Sequence, residues 1–227
     1  MKVSVIIPSF NEAQTLPIIL KKLTNLKMSH TLEIIVVDDG STDNTHQIIK
    51  KLLKNRKILL ITNKINIGKG DAIKKALKKA SGEVTLIQDA DLEYDPGEIP
   101  KLIAPFANKK TLVVYGSRIL KKNPVSHWTF DLGGKLLTFI TNLLYQTNIT
   151  DEATGYKAFR TDVIRAISLN AKGFEFCPEV TAKIAKKKIK IQEVSIGYNP
   201  RPPKDKKIKW HDGLAAIYYL IKYRFVN

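Results

Sequence analysis

A single cysteine, Cys177, stands among the 227 residues. That excludes a disulfide framework and any cysteine-rich zinc site, and it fits a reducing compartment. With no histidine near it in sequence, Cys177 reads as a packed thiol rather than a nucleophile. Histidine is almost as scarce. His30, His46, His127 and His211 show no H-E-x-x-H or other ligand spacing, so each reads as a surface or structural residue. Long apolar runs are missing as well. The longest uncharged stretch, Leu136 to Thr150, falls short of the roughly 20 residues that span a bilayer and is interrupted by Thr, Asn and Gln. The opening MKVSVIIPSF reaches Pro8 too early for the apolar region of a signal peptide, so export is not expected. Acidic residues are the scarce charge: 21 Asp+Glu face 38 Lys+Arg, for a net charge of +17. Such a field favours polyanions, whether nucleic acid, anionic lipid headgroups or phosphorylated substrates. The lysines are spread over most predicted helices, and there is no zinc-finger spacing, RNP aromatic pattern or dense basic arm, which argues against a nucleic-acid-binding module.

What is present is an ordinary globular composition, 44% hydrophobic and 26% charged, at a length that suits one large α/β domain. In the first half, short runs rich in Val and Ile alternate with lysine-studded segments of helical spacing, a βαβα rhythm. The predicted strands are Val3 to Ile7, Glu33 to Val37, Ile58 to Thr62, Val84 to Ile87 and Leu112 to Tyr115, most of them apolar on both faces as buried parallel strands are. Helices are predicted over Ala13 to Leu26, Asn44 to Leu53, Lys69 to Ala80 and Gly97 to Phe106. Thr42 or Asp43 is the expected cap of the second, and Ser81-Gly82 the expected close of the third. After Arg118 the character changes. Asp131 to Tyr145 reads as an amphipathic helix with Leu132, Leu136, Phe139, Ile140 and Leu143 on one face. A short strand, Tyr156 to Phe159, follows; then come a helix near Glu179 to Lys187, a strand from Ile189 to Ile196, a Pro-rich loop and a last helix from Asp212 to Tyr223. With no repeat and no low-complexity linker, the chain reads as one continuous domain whose second half decorates the first.

Carboxylates gather where strands should end: Asp38-Asp39 after the second, and Asp89-Ala90-Asp91 with Glu93 after the fourth. In an open α/β sheet these ends border the ligand crevice. Adjacent buried acids repel unless a cation or hydrogen-bond donors balance them, so the pattern suggests a divalent ion held by Asp91 with Glu93. Either cluster alone is equally a set of turn and capping residues. An ion with few protein ligands suits a nucleoside diphosphate, because Mg²⁺ or Mn²⁺ keeps positions open for phosphate oxygens. Asn66-Ile67-Gly68-Lys69-Gly70 also follows a strand and opens a helix like a phosphate-cradling loop. It lacks the last glycine of a dinucleotide fingerprint, where Ile73 stands, and reads as well as a plain turn.

Val5 to Glu12 (VIIPSFNE), Val37 to Asp43 (VDDGSTD), Asn66 to Gly70 and Asp89-Ala90-Asp91 stand in the order and spacing of family 2 glycosyltransferases, which this chain resembles over nearly its first 120 residues. Further on, Gly116-Ser117-Arg118, Thr154 to Phe159 (TGYKAF), Phe174-Glu175-Phe176 with Pro178-Glu179, and Tyr198-Asn199-Pro200-Arg201 are similar to the dolichol-phosphate mannose synthase branch and its polyprenyl-phosphate relatives. The resemblance implies a GT-A fold: a Rossmann-like, mostly parallel sheet with helices on both faces. It would form a single catalytic domain over 1–227, with a nucleotide-sugar half at 1–118 and an acceptor half at 119–227. It implies that Pro8, Phe10, Asn11, Glu12, Asp39, Lys69, Asp89 and Ala90 border the nucleotide, and that Asp91, assisted by Glu93, ligates the metal. By the same resemblance Arg118 and Arg201 face the phosphates, the acceptor's included, and Asp89, Asp91 and Arg118 carry the chemistry. Relatives commonly place an acidic-Gly pair before a Lys-Lys-Ile run after the second arginine; here Pro202 to Ile208 has no glycine.

The implied reaction moves a hexose from GDP-mannose or a UDP-hexose to a polyprenyl or dolichyl phosphate, with inversion. A phosphate monoester is already largely anionic at neutral pH, so it needs positioning and charge compensation more than a general base. A lipid acceptor is met at a membrane. Leu136 to Tyr145, and the run Lys206 to Trp210 ahead of the apolar Leu214 to Ile221, combine basic, aromatic and apolar residues as interfacial segments do, although packing against the sheet would produce the same pattern. The expectation is peripheral attachment to the cytoplasmic face of a membrane, with or without a separate membrane-anchoring subunit. An enzyme of the same fold with a soluble sugar or protein acceptor is the alternative.

Overall fold

A computed structural model describes residues 1–53, 58–202, 206–208 and 210–226. Seven strands form one sheet: β1 (Lys2–Ser9), β2 (Thr31–Asp39), β3 (Ile58–Asn63), β4 (Val84–Ile87), β5 (Val113–Ser117), β6 (Lys157–Arg160) and β7 (Ile191–Ser195), in the order β3-β2-β1-β4-β6-β5-β7. All pairings are parallel except those of β6, which runs against both β4 and β5. Six strands therefore end, and β6 begins, along one edge. The chain moves outward from β1 through β2 to β3 and then returns to lay β4 on the other side of β1, which makes the β1/β4 boundary the switch point where such sheets hold ligands.

Both faces of the sheet are covered, and the strands bury alternate residues on opposite sides. Val3, Val5, Ile7, Val36 and Leu86 pack under α1 (Leu16–Asn25), α2 (Thr45–Leu53) and α4 (Ile99–Ile103). Ile6, Ile35, Val37 and Ile87 face the other way, onto α3 (Lys69–Leu77), α6 (Thr161–Arg165) and α7 (Phe176–Lys186). A third apolar cluster lies outside this sandwich. There α5 (Trp128–Tyr145) and α8 (Trp210–Phe225) meet α7 through Leu137, Ile140, Leu144, Tyr219, Leu220 and Tyr223. Ile140 thus turns inward, whereas Leu132, Leu136, Phe139 and Leu143 of the same predicted face stay exposed. Among the described residues no helix is long and apolar enough to cross a membrane.

Several boundaries differ from expectation for local reasons. The third helix stops at Leu77, where the amides of Lys79 and Ala80 both turn back to the Ala76 carbonyl. Gly82 is no cap: a Cβ there would lie 2.6 Å from the Ser4 nitrogen, so glycine permits the chain to cross β1 closely. Predicted helix 97–106 is three short pieces, a 3₁₀ turn, α4 and a second 3₁₀ turn, because Pro100 and Pro105 remove helical donors. Of the two capping candidates for α2, Asp43 does the work, accepting from the Thr45 amide at 2.9 Å. Pro203, Lys204, Asp205 and Lys209 of the basic loop lie outside the described residues.

Candidate active site

The strand-end edge collects the sequence-predicted residues, and hydrogen bonds between neighbouring loops hold them. After β1, Asn11 adopts a left-handed φ of 52°. Its side-chain oxygen takes the Thr42 amide at 2.8 Å, and its own amide donates to Ser41 Oγ at 3.0 Å. The neighbouring Glu12 amide reaches Thr45 Oγ1 at 2.9 Å, so the turns after β1 and β2 form one unit. Gly40, with φ 70°, is required there because a Cβ would fall 2.4 Å from the Ile65 carbonyl carbon. Asp39 is buried and turned onto the loop after β3: it accepts from Asn63 Nδ2 at 2.5 Å, from the Ile67 amide at 3.1 Å and from the Gly68 amide at 2.6 Å. Asp38 takes the Ser41 amide and His46 Nδ1. Pro8 and Phe10 are half-buried at the end of β1.

Acids concentrate in the turn after β4. Leu92, the second left-handed non-glycine residue at this edge (φ 66°), lies in this turn, where Asp91 feels the charges of both Asp89 and Glu93. Asp89 is paired with Lys69 Nζ at 2.6 Å and abuts Gly155, where a Cβ would lie 2.2 Å from Asp89 Oδ2. Burial would depress the Lys69 pKa, but Asp89 above all holds it raised. Asp91 is pushed up to about 7 by its burial and by the charges of Asp89 and Glu93, with Arg201 opposing. A buried carboxylate such as Asp91, destabilised by neighbouring acids, is the kind of oxygen donor a hard cation relieves. Among the described residues no three His, Cys, Asp or Glu side chains come together as a ready-made metal cage.

The two arginines separate. Arg201 lies on this acidic side: Nη2 meets both Glu12 oxygens at 2.8 Å, its amide donates to Glu93 Oε1 at 2.9 Å, and Nε donates to the Asp91 carbonyl at 3.2 Å. Lys206 and Lys207 add ion pairs to Glu93 and Glu12. Arg118, just past β5, instead lines a cavity of about 280 Å³ with Lys121, Lys122, Lys135, Lys206 and Phe130. Asp151 fixes its guanidinium through two 2.7 Å bonds, and the Tyr198 ring lies 5.1 Å away. Ala90, between the two aspartates, is buried.

Sequence reasoning passed over Asp151, Tyr198 as a ring partner, and the buried pair Glu152 and Lys157. Lys157 Nζ donates to the Glu152 carbonyl at 2.7 Å and stands 3.8 Å from the Tyr115 ring centre. The lysine inside TGYKAF, a charge in the otherwise apolar run Tyr156 to Phe159, was the available signal for this pair.

The glycosyl transferase family 2 model matches residues 4–168. The chain is 32% identical to dolichol-phosphate mannosyltransferase of Pyrococcus furiosus, covering 98% of this chain and 64% of that protein, so it spans somewhat under two thirds of that relative's length. It is 35% identical to UDP-N-acetylglucosamine–dolichyl-phosphate N-acetylglucosaminyltransferase of Methanococcus voltae, covering 84% of this chain and 83% of that one. Among solved structures, mannosyl-3-phosphoglycerate synthase from Rubrobacter xylanophilus aligns over 98% of this chain and 72% of its own with a TM-score of 0.77 at 19% identity. Glucosyl-3-phosphoglycerate synthase of Mycobacterium tuberculosis, in complex with UDP, aligns over 100% and 81% with a TM-score of 0.75 at 17% identity. The fold is that of GT-A glycosyltransferases. With the family's model matching from within β1 through α6, across the switch point and its acidic turn, the chain belongs to glycosyl transferase family 2.

Proposed function

We propose that this chain transfers a hexose from a nucleotide sugar, GDP-mannose or a UDP-hexose, to a polyprenyl or dolichyl phosphate at the cytoplasmic face of a membrane. The observation that carries the reading is a juxtaposition. The acidic turn at the switch point is joined, through the Lys206–Glu93 pair, to a cationic cavity, and α5, which lines that cavity with Phe130, Gly134, Lys135 and Thr138, exposes Leu132, Leu136, Phe139 and Leu143 on its adjoining side. A phosphate head fits the cavity and an apolar chain fits the stripe. The names of the relatives from Pyrococcus furiosus and Methanococcus voltae support the same acceptor class. Attachment through the exposed face, directly or through a separate anchoring subunit seated on it, is peripheral in this reading.

In the proposed reaction an oxygen of the acceptor phosphate forms a bond to the anomeric carbon as the bond from that carbon to the diphosphate breaks, and the electron pair leaves on the nucleoside diphosphate. The second ionisation of a phosphate monoester lies near pH 6, so the nucleophile is anionic without a base. Pro8, Phe10, Asn11 and Asp39 border the nucleoside. Lys69 and Asp89 flank the sugar-phosphate end. Asp91 and Glu93 would hold Mg²⁺ or Mn²⁺, which when bound supplies positive charge opposite the leaving diphosphate. Arg118 receives the acceptor phosphate as a planar fork. Arg201, held between Glu12 and Asp91, stands where a cation can serve the donor phosphates or move toward the acceptor. The decisive experiment is a radiolabelled-donor panel against polyprenyl phosphate in vesicles, with soluble sugars and phosphorylated metabolites as competing acceptors. Transfer should be lipid-specific and fall by two orders of magnitude or more in Asp91→Asn with the melting temperature unchanged. Transfer only to soluble acceptors, or undiminished turnover in Asp91→Asn, would overturn it.

A further inference from the structure

One buried carboxylate has no part in that chemistry. Glu179 of α7 is fully buried, yet its oxygens are matched by two backbone amides and a lysine. Oε1 accepts from the Asn170 amide and from Lys183 Nζ, each at 2.8 Å, Oε2 accepts from the Ala171 amide at 2.7 Å, and the same Lys183 Nζ stands 4.5 Å from the Tyr223 ring centre of α8. Burial pushes the carboxyl upward, but these donors outweigh it and hold its pKa below the ordinary range, so the group is charged. An ion pair with Lys183 alone would need neither backbone amide.

What the amides belong to gives the arrangement its meaning. The segment 170–172, whose amides go to Glu179 at 170 and 171 and to Glu175 at 172, presents the carbonyls of Ala171 and Lys172 to the loop after β3. Lys172 O accepts the Asp71 amide at 3.0 Å. A Cβ on Gly68 would lie 2.5 Å from Lys172 O, and one on Gly70 would lie 2.6 Å from Ala171 O. Gly68, at φ 122°, has a backbone that L side chains rarely adopt. Between these glycines emerges Lys69, whose Nζ reaches Asp89 at 2.6 Å. Asp39 holds the loop from the opposite side through the Ile67 and Gly68 amides. The loop is therefore clamped between two buried carboxylates, one direct and one acting through a backbone segment.

We propose that Glu179 is a positioning residue for the donor loop: it fixes the 170–171 amides of the segment that seats Gly68 and Gly70, so setting Lys69 against Asp89, and Lys183, which pairs with it and faces the Tyr223 ring, ties that setting to α8. The helix that carries Tyr223 inward exposes Leu214, Tyr218 and Ile221 on its other side, so the seating of α8 is transmitted to the donor pocket. The role rests on the reading of 66–70 as part of the donor site.

The test is titration of GDP and UDP, each with Mn²⁺, into the wild type, Glu179→Gln, Tyr223→Leu and Gly70→Ala, alongside donor and acceptor KM, kcat and melting temperature. Glu179→Gln should raise the Kd of the bound nucleotide and the donor KM about tenfold while acceptor KM and kcat stay within twofold. Tyr223→Leu, which removes the ring that Lys183 faces, should give the same pattern at about threefold. Gly70→Ala, which pushes on the same backbone from the loop side, should reproduce the donor defect and carries the test if Glu179→Gln does not fold. Unaltered nucleotide affinity in Gly70→Ala and in whichever Glu179 or Tyr223 variant folds would overturn the positioning role alone. So would donor and acceptor KM rising together in step with a lowered melting temperature. A wild type that binds neither nucleotide would remove the donor-site reading and this role with it.

Discussion

The guanidinium of Arg118 is held by Asp151 through Nε and Nη2 and faced by the Tyr198 ring, so it stands ready before any ligand arrives. A free arginine carries about 2 kcal/mol of rotamer entropy, and here that cost is met during folding rather than at the moment of binding. Lysine in its place would keep the charge and lose the fork. Arg118→Lys is therefore expected to lower kcat/KM for polyprenyl phosphate tenfold or more, about 1.4 kcal/mol, while nucleotide affinity stays within twofold. Wild-type transfer at subsaturating acceptor would return Arg118 to a purely structural pair with Asp151. Arg118 was legible in the sequence because it follows a strand end in Gly116-Ser117-Arg118. Asp151 was not: it sits 33 residues away in a polar turn, and only the tertiary fold brings it to the arginine. Arg201 shows the reverse limit. Its position in a Pro-restrained loop was visible, but its choice of Glu12 over the Arg118 cavity depends on how that loop crosses the sheet edge.

At the scale of elements, the strands of the first half were legible because each is a short, doubly apolar run. The helices were legible wherever apolar spacing persisted for nine residues or more. Five-residue α6 was not read, since one turn and a half carries no periodicity. The far end of the sheet offers a stability test independent of the site. Glu33, near the start of β2, accepts from Ser4 Oγ at 2.5 Å, from the Ser81 amide at 2.7 Å and from Ser81 Oγ at 2.5 Å, and it pairs with Lys2 at 2.9 Å, stapling β1, β2 and the turn before β4. Burial raises its pKa, but these bonds win and hold it at about 2. A folded-state value below the unfolded one stabilises the fold at pH above the unfolded value of about 4.5, and that contribution is lost as pH falls from there toward 2. Chemical denaturation of Glu33→Gln should thus show lower stability than wild type at pH 7, with the gap closing between about pH 4.5 and 2. Nucleotide affinity should not change, because the staple and the carboxyl-terminal edge lie at opposite ends of β2. A gap independent of pH would mean the carboxylate's charge plays no part.

The whole molecule combines a net charge of +17 with two apolar stripes, Leu132, Leu136, Phe139 and Leu143 on α5 and Leu214, Tyr218, Ile221 and Phe225 on α8, all exposed. Each stripe repeats at spacings of three and four, as a helix face does, but the inward faces of both helices are already satisfied by α7. That answers the question amphipathicity alone left open: these helices pack on the body with one side and still present apolar residues to the surroundings with the other. Phe139 is 64% exposed and Tyr218 60%, with Lys121, Lys122, Lys135, Lys222 and Arg224 also at the surface. Apolar area of this extent rimmed by cations fits an anionic lipid surface, where each basic residue contributes about 1 kcal/mol and the contribution is screened by salt. The two contributions separate experimentally. Wild type should co-sediment with vesicles containing anionic lipid, and at high salt it should retain the weaker, apolar part of that binding. Phe139→Glu with Tyr218→Glu should abolish the salt-resistant part and leave a weak, salt-sensitive attraction. Nucleotide affinity in solution should be preserved, since both side chains are exposed on the outer faces of α5 and α8. Transfer to a short, water-soluble polyprenyl phosphate should survive in the double variant, while transfer to long-chain acceptor in vesicles should collapse. Vesicle binding unchanged by the two charges would show that this face meets something other than lipid.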